Sequence, residues 1–435
     1  MIKADHVSLS DERGDGGAAF QVWTFFIVAI ICAFGVSMKM YGYTIRPERV
    51  LVSILLLIII PFIPTYKPRM IPLLLLGWIA LSLISSLMSV QPGAAFRHWV
   101  DLSLAVAFFF VCQMAPLHLL ILRRSSALIW MSMVLGTGAI LTGIVHAHGL
   151  DATGSIWAHF FVDEGNTFRI KMTLLEPNLF GIAMSVFSLL SIAEFKKSEK
   201  RTWLLLVVSH VGLILAFSRG PIIGYVAGLV VYGIVTRDRG LYLKLWGSAF
   251  ALLVLLPWVG LPVNSGTVNS GTVNSKVDAH FFKREYTIAV RFAAITEAEP
   301  DIINKPIIGN GVYSFSFLHP EFNQKVGASD QEQAWLSVMP VAILHDTGLV
   351  GMLLVYSFFA LIILRGYKAT VILRNIRDYQ HVRRAAAWLG AAVSVLVVSL
   401  ATLAYSLSLF WGIFAVCYCI PFAMTKLKAD DQVKL

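Results

Sequence analysis

Charge is what this sequence has least of. Only 14% of its 435 residues are Asp, Glu, Lys or Arg, against about 25% in a typical water-soluble domain, and 57% are hydrophobic. A soluble fold is thereby excluded. Cysteine is also scarce: the four present, Cys32, Cys112, Cys417 and Cys419, all lie inside apolar segments. Neither a disulfide framework nor a zinc site with loop-borne ligands is indicated. Acidic residues are outnumbered, 25 against 35 Lys and Arg, for a net charge of +10. The excess sits in short clusters between apolar runs and not along one face, which points away from nucleic acid and toward membrane topology. A cleavable signal peptide is not expected either, because the first twenty residues mix acidic and basic side chains without an apolar stretch. The first apolar span is expected to act as an uncleaved insertion signal.

What is there is a succession of apolar runs approaching the ~20 residues needed to cross the hydrocarbon of a bilayer. They are expected at Val22 to Met38, Val50 to Pro64, Ile71 to Ser89, Val100 to Met114, Ala127 to Val145, Leu179 to Ala193, Trp203 to Phe217, Pro221 to Val235, Leu241 to Val259, Gly348 to Leu364, Ala386 to Ala404 and Leu407 to Met424. The expectation is an all-α polytopic membrane protein, a single integral membrane domain over residues 1–435, with about twelve transmembrane helices. Threaded this way, Lys67 with Arg69, Arg123 with Arg124, Lys196 to Arg201, Arg237 with Arg239, Arg365 to Arg384 and Lys426 to Lys434 share one side. The positive-inside bias makes that side cytoplasmic, together with both termini. Lys39, Arg46 and Arg49 disagree and face outward. Two long connections then emerge on the outer face, 147–178 and 260–334. In the second, Val263 to Ser275 repeats Val-Asn-Ser-Gly-Thr, a composition expected of a flexible linker.

The sharpest local signal is Ser218-Arg219-Gly220-Pro221, squeezed between two apolar runs. Proline suits a first helical turn and glycine lets a ligand approach the backbone. Free N–H groups, the positive helix end and a guanidinium would therefore converge on an anion such as phosphate. The plainer reading is a hairpin whose arginine snorkels to the interface. Glu176-Pro177-Asn178, preceded by Arg169 and Lys171, opens another helix and reads equally as a simple cap. In the long loop Arg291 starts a short amphipathic helix expected to end before Pro300; a glycine turn over Pro306 to Gly311 leads to Tyr313 and Phe315. Asp330, Glu332 and Gln333 precede an apolar segment reaching His345-Asp346-Thr347-Gly348. His146 with His148 reads as interfacial more than as a metal pair, His210 as a neutral intramembrane histidine, and Arg97 with His98 as either a helix anchor or a glycan contact.

The order of these motifs resembles the O-antigen ligase and O-antigen polymerase (Wzy-like) superfamily of bacterial membrane glycosyltransferases. The resemblance rests on Arg169 with Glu176-Pro177-Asn178, on Phe217-Ser218-Arg219-Gly220, on Arg291 with Pro306 to Gly311, and on His345 to Gly351. It implies a GT-C-like fold with a long, partly helical periplasmic loop, in the bacterial inner membrane. It also implies a metal-independent transfer, without cofactor, of a glycan carried on undecaprenyl diphosphate, with a flippase and a chain-length regulator as partner proteins. Arg219 and Arg291 would bind the diphosphate and neutralise charge as the sugar departs, with Arg169, Ser218, Gly220, Glu176, Asn178 and Asp330 lining the substrate. The family's ligases carry a His-Asn pair about three helical turns before the glycine matching Gly348. This chain has Ser337 and Val338 there, so Glu332 is the expected general base and Asp330 the next. The expected activity is polysaccharide polymerisation onto a lipid-linked repeat unit; joining the glycan to lipid A core as a ligase is the near alternative, and a transporter or flippase of lipid-linked sugars the alternative of another class.

Overall fold

A computed structural model describes residues 38–40, 43–45, 47–59, 70–114, 126–147, 161–163, 168–170, 177–195, 198–216, 218–237, 290–325, 336–375, 379–402 and 408–433. In chain order the described elements are strands β1 (Met38–Met40) and β2 (Tyr43–Ile45), and helices α1 (Pro47–Ile59), α2 (Met70–Leu87), α3 (Pro92–Met114) and α4 (Ser126–Ala147). Strands β3 (Phe161–Asp163) and β4 (Phe168–Ile170) follow, then helices α5 (Pro177–Glu194), α6 (Lys200–Leu215) and α7 (Arg219–Thr236). Beyond residue 289 come α8 (290–304), α9 (Phe315–Leu318), α10 (Pro320–Lys325), α11 (Met339–Asn375), α12 (Tyr379–Ser399) and α13 (Ser408–Val433). The strands form two short antiparallel hairpins, β1 with β2 and β3 with β4, an addition to the all-helical expectation. Pro47, Pro92, Pro177 and Pro320 each open a helix, where the missing N–H costs nothing and φ is already helical.

Among the described residues six helices are long and apolar enough to cross a membrane: α2, α3, α7, α11, α12 and the first part of α13. The chain is thus a helical, polytopic membrane protein. The expected span Leu241 to Val259 lies outside the described residues, as do the Val-Asn-Ser-Gly-Thr repeat and residues 22–37 of the span expected at Val22 to Met38, whose last residue, Met38, opens β1. Large apolar side chains such as Leu57, Val134, Ile144, Leu353 and Leu364 stand exposed along the helices, as a lipid-facing surface requires. At the centre lies α12, packed against α5, α7, α11 and α13.

Small residues let α7 and α12 approach closely. Gly220, Gly224 and Gly228 recur every four residues, the spacing that places backbone against backbone in membrane helices. A Cβ on Gly228 would stand 2.7 Å from the Gly390 carbonyl oxygen, and one on Gly224 2.7 Å from that of Ser394. The opposite end of this pair is tied down by arginines. Arg383 donates to Tyr232 Oη at 3.1 Å and to the carbonyls of Phe195 and Ile192, and Gln380 to that of Ala193. Arg384 pairs with Glu194, and Arg374 donates to the Val235 carbonyl at 3.1 Å. Orphan carbonyls at the C-termini of α5 and α7 are thereby satisfied by side chains of α11 and α12.

These contacts fix the sense of the bundle. The C-terminal ends of α5, α7 and α11 share one end, rich in Lys and Arg, so their N-terminal ends share the other. Arg49, one of the three residues expected to depart from the charge bias, pairs with Asp101 on α3 near this second end, one helical turn from His98, whose ring packs at a tilt against Tyr313.

Candidate active site

At the N-terminus of α7, Ser218 is the flanking residue, 5% exposed, in extended conformation. Its hydroxyl makes no cap on α7; it donates to Asn178 Oδ1 at 2.6 Å, in the first turn of α5. Pro221 packs over Gly181 of α5, where a Cβ would stand 2.6 Å from its ring. Two motifs forty residues apart are thereby brought together. Arg219 stands exposed beside them and makes no hydrogen bond or ion pair with another described residue. Gly220 has ordinary helical geometry, and a Cβ there would meet only Val398 at 3.7 Å, so the fold itself does not demand glycine.

The second half of the site is a break in α11. Gly348, at φ 65° and ψ −171°, interrupts the helix in a conformation open essentially to glycine alone. Four backbone groups beside the break are re-paired by the turn at Pro306 to Gly311. Leu349 and Val350 donate to the carbonyls of Pro306 and Ile307, at 2.8 and 3.4 Å, while those of His345 and Asp346 accept from Asn310 and Gly311, at 2.8 and 3.0 Å. Such mutual satisfaction is what irregular backbone at the head of a membrane helix needs. The fit admits no extra atom: a Cβ on Gly348 would overlap the Ile307 carbonyl, and one on Gly309 would stand 2.5 Å from Asp346. Ser85 of α2 donates to the Asp346 carbonyl at 2.7 Å, and Asp346 Oδ2 accepts from the Tyr313 amide at 3.0 Å.

Against this frame stands a chain of alternating carboxylates and imidazoles. Asp346 Oδ1 lies 3.0 Å from His345 Nδ1, His345 Nε2 lies 3.3 Å from Asp301 Oδ2, and that oxygen lies 2.6 Å from His319 Nε2. His319 Nδ1 in turn lies 3.3 Å from Glu297 Oε1. The inner end is buried, at 7% side-chain exposure for Asp346 and 0% for His345, while Asp301 and His319 are 19% and 16% exposed and Glu297 at the outer end is 50% exposed. Burial alone would push the Asp301 carboxyl up; hydrogen bonds from His345 and His319 outweigh it and hold the pKa below the ordinary value of 3.8. Glu297 and Asp301 sit one turn apart on α8, which runs through Pro300 to residue 304. This corrects the expected stop before Pro300. Thr296, whose carbonyl loses a partner there, is exposed and open to water.

Of the other expected site residues, Arg291 is the second residue of α8 and partly buried. The apolar face of α8, Val290, Ala294, Ala298 and Ile302, packs with Phe315, Phe322, Leu336 and Ala342, which places Arg291 at the same end of the bundle as Arg219. Arg169 lies in β4 opposite Val162. Glu176, Asp330 and Glu332 lie outside the described residues, as does His148. His210 bonds Tyr225 Oη at 2.6 Å and the Leu206 carbonyl at 2.7 Å, a satisfied histidine between helices. Among the described residues no group of three or more His, Cys, Asp or Glu is arranged to hold a metal ion. Sequence reasoning missed Glu297, Asp301 and His319. The i, i+4 spacing of the two acids would have drawn attention to them, had the helix been carried past Pro300.

Residues 204–356 match a family model described as O-antigen ligase, in keeping with the O-antigen ligase and Wzy-like superfamily that the motifs resemble. The matched stretch contains Ser218 to Gly220, Arg291, the turn at Pro306 to Gly311 and the break at Gly348. No curated protein matches the chain.

Proposed function

We propose, from the match of residues 204–356 to the O-antigen ligase family, that the protein is a polysaccharide polymerase of the bacterial inner membrane. It transfers a glycan from undecaprenyl diphosphate onto a hydroxyl of the next lipid-linked repeat unit, at the periplasmic face, with no metal or cofactor. The Lys- and Arg-rich end of the bundle is cytoplasmic, with both termini, and the site end faces the periplasm. The observation that carries this reading is the exposed Arg219, with no hydrogen bond or ion pair among the described residues, at the head of an 18-residue helix beside the buried Ser218–Asn178 bond. A helix N-terminus and a fixed cation side by side favour a diphosphate.

In this reading Arg219 and Arg291 bind the diphosphate, and Ser218, Gly220, Asn178, Arg169, Glu176 and Asp330 shape the pocket around it. Charge builds on the bridging oxygen as the sugar leaves, and guanidinium groups held in place lower the barrier without reorganising. Glu332 is the base expected from sequence. Absence of the ligases' His-Asn pair at Ser337 and Val338 favours polymerisation over ligation.

Purified protein in liposomes, supplied with a synthetic lipid-linked repeat unit, tests the proposal. Release of undecaprenyl diphosphate with stepwise chain growth is expected. Movement of the unit across the bilayer without bond formation would make the protein a transporter; growth only when lipid A core is supplied would make it a ligase.

A further inference from the structure

We infer that His319 is the general base that takes the acceptor's hydroxyl proton, with Asp301 as its orienting carboxylate. This rests on the transferase reading above and deepens it. His345 cannot fill the role: it is fully buried, with both ring nitrogens committed to Asp346 and Asp301. Breaking such a buried pair would strand an uncompensated buried charge, so His345 and Asp346 serve as the fixed foundation. His319 differs in two respects. Its ring is partly open to solvent, and its two nitrogens have unequal partners.

On one side, Nε2 lies 2.6 Å from Asp301 Oδ2, which His345 also holds. On the other, Nδ1 lies a looser 3.3 Å from Glu297, whose carboxylate is half exposed and able to swing aside. A ring that donates Nε2–H to a fixed carboxylate presents the Nδ1 lone pair outward, the arrangement by which a carboxylate orients a catalytic imidazole. Phe315 packs against the same ring, with centroids 4.8 Å apart, and limits its rotation.

Position agrees with chemistry. Arg291 and Glu297 are six residues apart on one helix, about 9 Å along its axis, so diphosphate and base are within the span of one lipid-linked saccharide. In the step itself the acceptor O–H gives its proton to His319 Nδ1 while its oxygen bonds to the anomeric carbon. The bond from that carbon to the diphosphate oxygen breaks, and its electron pair leaves with undecaprenyl diphosphate. The new imidazolium, held between Asp301 and Glu297, passes the proton through Glu297 to water.

The test uses the full-length protein in liposomes with the synthetic repeat unit, comparing wild type, His319→Gln and His319→Ala. His319→Gln is expected to lower kcat by about 10²–10⁴-fold, the usual contribution of a general base, with the donor KM unchanged. Imidazole added to His319→Ala should restore turnover, which no purely structural role would allow. Near-normal turnover by His319→Gln overturns the assignment, as does a loss in His319→Ala that imidazole does not repair. A wild type that grows no chain overturns the transferase reading itself, so the two failures are distinct.

Discussion

Asp301 is the residue through which α8 is held to the broken helix, and its charge makes that hold pH-dependent. Its folded pKa lies below the ordinary 3.8, so the native state favours the ionised form. The resulting stabilisation is fully present above pH 3.8 and disappears as pH falls through the lower folded value. Asp301→Asn keeps the shape and loses the charge. Its melting temperature is expected to fall below that of wild type at neutral pH by about 1 °C, what a loss near 1 kcal/mol produces in a chain of 435 residues. The gap should close as both are taken into the range where carboxylates protonate; a gap that stays constant down to that range would deny Asp301 this role. Single residues were also where the sequence was most legible on the donor side. Ser218, Arg219 and Asn178 stood out through proline, glycine and arginine at helix starts, and the structure joins Ser218 to Asn178. The acid–imidazole chain was illegible because its members lie on α8, the α9–α10 junction and α11, separated by up to 49 residues. Only the docking of the glycine turn brings them into contact.

At the scale of elements, the break at Gly348 and the turn at Pro306 to Gly311 act as one part. Each supplies the hydrogen-bond partners the other lacks, so neither is expected to keep its form alone. Gly348→Ala would carry about 1–3 kcal/mol of backbone strain, besides colliding with Ile307. The amides of Asn310 and Gly311 should then lose their protection in hydrogen exchange, and chain growth should fall with them. Unchanged protection would mean that the turn folds independently of the break. The sequence offered both motifs but no sign that they touch, since a glycine marks only that the backbone does something unusual. The apolar period of the spans was far easier to read. Where the helices end was harder: α3 begins at Pro92, eight residues ahead of the expected Val100, and α11 begins at Met339 and not at Gly348. In both cases polar residues ahead of the expected span, His98 and His345 among them, find partners inside the fold.

The whole molecule is a bundle with unlike ends. One is tied by Arg374, Arg383 and Arg384 to the C-termini of α5 and α7; at the other, N-termini, the broken helix and the exposed Arg219 gather. Close glycine packing between α7 and α12 holds the two ends in a fixed relation, so that under the proposed function a donor held at α7 would meet an acceptor base supplied from α8 to α10. The claim at the centre is that Arg219 and Arg291 act on one diphosphate. A double-mutant cycle on kcat/KM with Arg219→Lys and Arg291→Lys tests it directly, with protein levels checked in each variant. Each single substitution should cost about tenfold or more, about 1.4 kcal/mol, and the double variant much less than the product of the two, because a headgroup released by one arginine has little left to lose at the other. Losses that simply multiply, or wild-type turnover in Arg219→Lys, would contradict it.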